Sequence, residues 1–198
     1  MQTDMKRIYI STILLLLVSQ IIYGQTSTFT VVPGKGFNDF TIGKTTFEEI
    51  IGKMGKNNHV DTFYVKPLGD VFSYDTVNNK TSKTDIYSYG LFYDSLGISF
   101  FRYKNKKTIF LIHFQTPASV TTDKDIKLNN DNFKKVVSKY GQTQWTYTAY
   151  KIFKEYNGIR FEQSSKAKLP LVMDKDSTFY LSKTVTGISI IKKTKKYK

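Results

Sequence analysis

The 198-residue chain contains no cysteine, which excludes disulfides, thiolate nucleophiles and thiolate-bound zinc or iron–sulfur clusters. Its two histidines, His59 and His113, leave little material for imidazole-based metal or acid–base chemistry. Arginine is almost as scarce: 27 of the 30 basic residues are lysine, and only Arg7, Arg102 and Arg160 carry the planar fork that dedicated phosphate readers use. The net charge of +14 therefore predicts no specific nucleic-acid partner, and at most weak contact with an anionic envelope surface. The apolar run at 8–18 falls short of the roughly 20 residues that span a bilayer. HExxH, GxGxxG and nucleophile-elbow patterns are absent. Gly43-Lys44-Thr45 ends like a phosphate-binding loop, yet Asn38 stands where that pattern needs glycine. Asp174-Lys175-Asp176-Ser177 lacks the central glycine of a calcium loop, and Val185 replaces its final glutamate. No catalytic residue, cofactor or metal ligand is assigned, and a binding protein is expected rather than an enzyme. The alternatives are a cell-wall or glycan hydrolase with carboxylates converging from distant positions, and a cationic binder of anionic envelope polymers.

What the sequence does have begins with an export signal. Lys6 and Arg7 precede the apolar stretch 8–18, and Gly24 fits the small residue before a cut, so residues 1–24 read as a signal peptide. Cleavage near Gly24-Gln25 would place the chain in the periplasm or outside the cell. No cysteine follows to carry a lipid anchor. The remainder is rich in aromatics (15%), which favours strands.

An internal repeat organises that remainder. Phe47-Glu-Glu-Ile-Ile-Gly-Lys-Met-Gly55 lines up with Phe133-Lys-Lys-Val-Val-Ser-Lys-Tyr-Gly141. Leu96-Gly-Ile-Ser-Phe100 then matches Asn157-Gly-Ile-Arg-Phe161, and Thr108-Ile-Phe-Leu-Ile112 matches Thr184-Val-Thr-Gly-Ile188. Phe47, Ile50, Ile51 and Met54 form a one-sided helical stripe, repeated by Phe133, Val136, Val137 and Tyr140. Thr45 or Thr46 would cap the first helix through Glu48 or Glu49, and Asn130 to Asn132 the second, with Gly55 and Gly141 ending them. Strands are expected at 62–65, 85–93, 97–103 and 108–114, and again at 144–153, 158–163, 178–181 and 184–192. The expected fold is α+β: two similar units, each one or two short helices packed on an antiparallel sheet. The first unit takes 25–120 with an insertion at 66–84, the second 121–193, and 194–198 form a basic tail.

The stretch Thr41-Ile-Gly-Lys-Thr-Thr-Phe-Glu-Glu-Ile-Ile-Gly-Lys-Met-Gly-Lys56, followed by strands and then repeated, resembles the helix-plus-sheet repeat of β-lactamase inhibitor proteins. It is similar also to outer-membrane assembly lipoproteins of the BamE (SmpA/OmlA) type. The chain differs from them in lacking a lipid-bearing cysteine, disulfides and a proline after Gly55. The resemblance implies a protein-binding module whose partner is another protein: an envelope accessory factor, or an inhibitor or immunity protein for an exported enzyme or toxin.

Strand alternation divides each sheet into two faces. Ile98 and Phe100 match Ile159 and Phe161, apolar in both copies, so these should face the helices together with Phe110, Ile112, Phe114, Ile188 and Ile190. The opposite face then carries Phe101, Tyr103, Ile109, Leu111 and His113 in the first unit and Arg160 in the second, with Trp145 and Tyr147 extending it. These eight residues are the candidate partner-binding set.

Overall fold

The computed structural model describes residues 28–65, 86–147, 150–164 and 177–193. The expected signal segment at 1–24, the expected insertion at 66–84 and the expected basic tail at 194–198 lie outside these described residues. The fold is mixed α+β, with mostly antiparallel sheets and few helices.

Eight strands make the main sheet. They are β4 (His59–Val65), β5 (Ile86–Tyr93), β6 (Ile98–Tyr103), β7 (Leu111–Gln115), β9 (Trp145–Tyr147), β10 (Lys151–Tyr156), β11 (Ile159–Ser164) and β12 (Gly187–Ile191). Their order is β4-β5-β6-β7-β12-β11-β10-β9, antiparallel throughout. Two meanders thus meet at the β7–β12 seam, where Ile112 faces Ile190, His113 faces Ser189 and Phe114 faces Ile188. A smaller sheet has the order β3-β2-β1-β8, from Phe29–Val32 (β1), Gly36–Phe37 (β2), Phe40–Thr41 (β3) and Val120–Thr122 (β8), with β1 and β8 parallel. Strands of two to four residues are too short to leave a clear alternation signal, so this sheet was not expected from the sequence.

The helices α1 (Phe47–Met54) and α2 (Phe133–Tyr140) start and stop where their caps direct. Thr46 Oγ1 accepts from Glu49 N while the Glu49 carboxylate accepts from Thr46 N, a complete capping box; the Thr45–Glu48 alternative is not used. Asn132 Oδ1 accepts from Lys135 N at the start of α2. Gly55 (φ 86°) and Gly141 (φ 88°) end the helices in a conformation that any side chain would strain. Their carbonyls accept from Tyr93 Oη and Tyr156 Oη, both at 2.9 Å.

One face of the main sheet packs against these helices and the small sheet, and the hydrophobic core lies between. Ile98, Phe100, Phe114, Ile159, Phe161, Ile188 and Ile190 are all buried there, as their matched alternation predicts. Phe37 contacts both Phe100 and Phe114, Phe40 contacts Phe100, and Tyr140 contacts Phe161. The stretch expected as one strand at 144–153 is two adjacent strands, with Tyr147 opposite Ile152. The stretch expected as a strand at 178–181 belongs instead to a short helix, α3 (Ser177–Leu181), which lays Tyr180 against Trp145 and Tyr147.

Candidate functional site: the second face of the main sheet

The second face is reached by side chains of opposite parity. Six residues stand in one row across six strands: Phe92, Ser99, His113, Ser189, Arg160 and Glu155, each opposite the next. Phe101, Tyr103 and Leu111 flank that row, each half-buried. Five of the eight sequence-derived residues therefore share this face: Phe101, Tyr103, Leu111, His113 and Arg160.

The other three do not. Ile109 is completely buried on the first face. The cause is a β-bulge: Phe110 N donates to Phe101 O at 2.8 Å although Leu111 is the residue opposite Phe101. The extra residue shifts the alternation, so Ile109 points inward. Phe110, expected inward, is half-buried and stacks on Tyr103 with ring centroids 4.1 Å apart. The same irregularity recurs on β12, where Thr186 N donates to Glu162 O although Gly187 lies opposite Glu162, and Val185 is completely buried. Strict period-2 reading cannot see a bulge. Trp145 and Tyr147 are also on the first face, not the second. Trp145 packs on Phe133 and Tyr180, and the buried amine of Lys154 sits 4.2 Å above its ring. Burial holds that amine below its ordinary pKa, and it donates to the Thr143 carbonyl.

At the centre of the second face is a buried polar cluster that composition alone does not announce. His113 Nδ1 lies 3.0 Å from Ser189 Oγ, and its Nε2 lies 3.7 Å from Glu162 Oε1. Lys151 Nζ donates to the same Glu162 oxygen at 3.0 Å. The Glu162 side chain is only 7% exposed, whereas that of Lys151 is 46% exposed, so the pair joins the interior to the surface. Burial pushes the His113 imidazole below its ordinary value; Glu162 opposes this, and Lys151 and Arg160 add to it. Arg160 is itself held by Glu155, with Nη2 2.6 Å and Nε 3.0 Å from one carboxylate oxygen, and its guanidinium lies over the Phe153 ring.

Gly187 makes the cluster sterically feasible. A Cβ there would lie 2.5 Å from Glu162 Cγ and 2.7 Å from its Oε1. Glu162 on β11 thus lies across β12 to reach towards His113 on β7. Alternation already sets Glu162 on the side of Arg160, and the glycine inside β12 marks the close approach of a neighbour, but neither signal names His113 as its partner.

A hydroxyl, an imidazole and a carboxylate in line invite comparison with a hydrolytic triad. Such a site also needs N–H donors aimed at the developing oxyanion. Both edges of β12 are committed to ladder hydrogen bonds, so the strand amides around Ser189 are not available for that task. Glu155 and Glu162, the carboxylates nearest His113 and Ser189 on this face, each contact a cation. Among the described residues, no three His, Asp or Glu side chains gather as a metal site, and no helix is long and apolar enough to cross a membrane. What the face offers is a patch of half-buried apolar side chains around buried charge, an arrangement suited to contact with another macromolecule.

No family model matches the chain, and no curated protein matches it. Among solved structures it is similar to the uncharacterized protein yfeY from Escherichia coli, at 13% identity and a TM-score of 0.51, covering 82% of this chain and 99% of that one. At that identity the likeness speaks to the fold alone, a mixed α+β architecture with mostly antiparallel sheet.

Proposed function

We propose that this chain is an exported, non-enzymatic protein-binding module that holds its partner against the second face of the main sheet. The observation that carries this reading is the distribution of packing. The helices and the small sheet contact the first face, while the second presents Phe101, Tyr103 and Leu111 half-buried beside the His113–Glu162–Lys151 cluster. Burying such residues in a partner is how interface hot spots form.

The module is, in this proposal, two copies of one helix-plus-sheet unit, in line with its resemblance to inhibitor and envelope-assembly repeats. Several recurrences support the duplication. Gly43 N donates to Ile109 O and Asn129 N to Val185 O, both at 2.8 Å. Ile109 N and Val185 N donate to Thr45 O and Asp131 O, both at 2.9 Å. The helix-ending glycines, each accepting from a tyrosine, and the two bulges recur in the same order along the chain. Residues 1–24 serve as the export signal, and the working compartment is the periplasm or the exterior.

The test is affinity capture from envelope extracts with wild-type protein beside Leu111→Ala and Tyr103→Ala. Both variants should melt close to wild type, yet weaken capture of the same co-eluting protein, by about 2 kcal/mol at a hot spot. Variants that melt much lower, or that capture it equally well, would leave the face without a binding role. The identity of the captured protein then separates an envelope accessory role from that of an inhibitor or immunity protein.

A further inference from the structure

We propose that Glu162 is a carboxylate shared between two bases and that a proton chooses between them. When His113 is neutral, Glu162 pairs with Lys151; when His113 is protonated, Glu162 turns to the imidazole, and the centre of the second face rearranges. The effect on a partner rests on the reading of this face as a binding surface; the proton site itself does not.

The geometry is that of a poised exchange. One oxygen, Oε1, serves both contacts, at 3.0 Å from Lys151 Nζ and 3.7 Å from His113 Nε2. The second distance is too long for a hydrogen bond, and a movement of under about 1 Å would close it. Gly187 leaves the space in which the glutamate side chain lies. At the other ring nitrogen Ser189 Oγ, 3.0 Å away, can serve either protonation state, because a hydroxyl donates to a bare Nδ1 and accepts from Nδ1–H.

Among the described residues, the charged groups that face His113 can be named. Glu162 and Arg160 come from β11, and Lys151 from β10. From β6 and β12 the opposite residues are Ser99 and Ser189, which carry no charge, and Gln115 on its own strand adds an amide. The Arg160 charge is engaged by Glu155. An arriving proton therefore meets one buried carboxylate and one surface-reaching lysine that competes for it.

The experiment is an NMR titration of the full chain, following the His113 ring, the Glu162 carboxylate carbon and the Lys151 amine together. With only His59 besides, assignment needs a single His59→Gln control. In the wild type, the Glu162 and Lys151 signals should both shift with the His113 midpoint. Lys151→Met should raise that midpoint and Glu162→Gln should lower it. A Glu162 signal indifferent to His113 protonation, or a His113 midpoint unmoved by Lys151→Met, would overturn the proposal. The wild-type readouts need no variant to fold. They are also independent of partner capture, so a failed binding face and a failed proton exchange give different results.

Discussion

Replacing Gly187 by alanine should destabilise the protein through a residue that alanine never touches in sequence. The new Cβ would stand 2.5 Å from Glu162 Cγ and 2.7 Å from Oε1, well inside van der Waals contact. The obstructing atoms belong to a side chain, so the backbone can stay while Glu162 swings away. Its hydrogen bond from Lys151 would then be lost, and a charge-assisted bond at a buried group contributes about 1.5–3 kcal/mol. Alanine in a strand interior recovers about 0.5–1 kcal/mol relative to glycine. The net loss is therefore about 1–2 kcal/mol, a fall in melting temperature of about 2–8 °C for a chain of this size. A double-mutant cycle isolates the cause. In a Glu162→Ala background the collision disappears, so Gly187→Ala should become neutral or mildly stabilising. Thermal or urea melts of the four proteins suffice. If Gly187→Ala destabilises equally in both backgrounds, the glycine is required by the backbone and not by Glu162.

The remaining predictions concern the first face and pH. Trp145 packs on Phe133 and Tyr180, so Trp145→Ala should lower stability by about 2–3 kcal/mol; the ring is half-buried, which keeps the loss below the roughly 3–5 typical of a fully buried aromatic such as Phe133. A melt unchanged by Trp145→Ala would return that residue to the list of surface contacts. The folded state holds the His113 pKa below its ordinary 6.5, so the unfolded chain binds a proton that the native state resists. The stability that neutral His113 allows should be fully present above about pH 6.5 and decline as the pH falls from there through the folded midpoint. His113→Gln should remove that part of the decline; urea melts between neutral and acid pH with the same slope in both proteins would refute the assignment.

Local patterning determined much of this molecule. Helices α1 and α2 were legible because short-range chemistry fixes them: Thr46 with Glu49, Asn132 with Lys135, and the glycines whose positive φ ends each helix. The apolar side of the strands was legible too, since Ile98, Phe100, Ile159 and Phe161 repeat the same alternation and all are buried. Alternation along the matched segments put Phe101, Leu111, His113 and Arg160 on one face, and the strand register sets these four on a common side.

Three things were decided only by tertiary structure. The bulges at Phe110 and Thr186 depend on hydrogen bonds to the neighbouring strand, and these alone sent Ile109 inward. The side to which Trp145 turns depends on its register against Lys154 and Phe161 across two strands. The cluster of His113, Ser189, Glu162 and Lys151 exists because β7 pairs with β12, β12 with β11 and β11 with β10. Alternation along a strand reports which residues share a side; it carries no information about which strand lies next. Neighbour identity is set by long-range packing, and so the charge at the centre of the candidate face could be recognised only once the sheet was assembled.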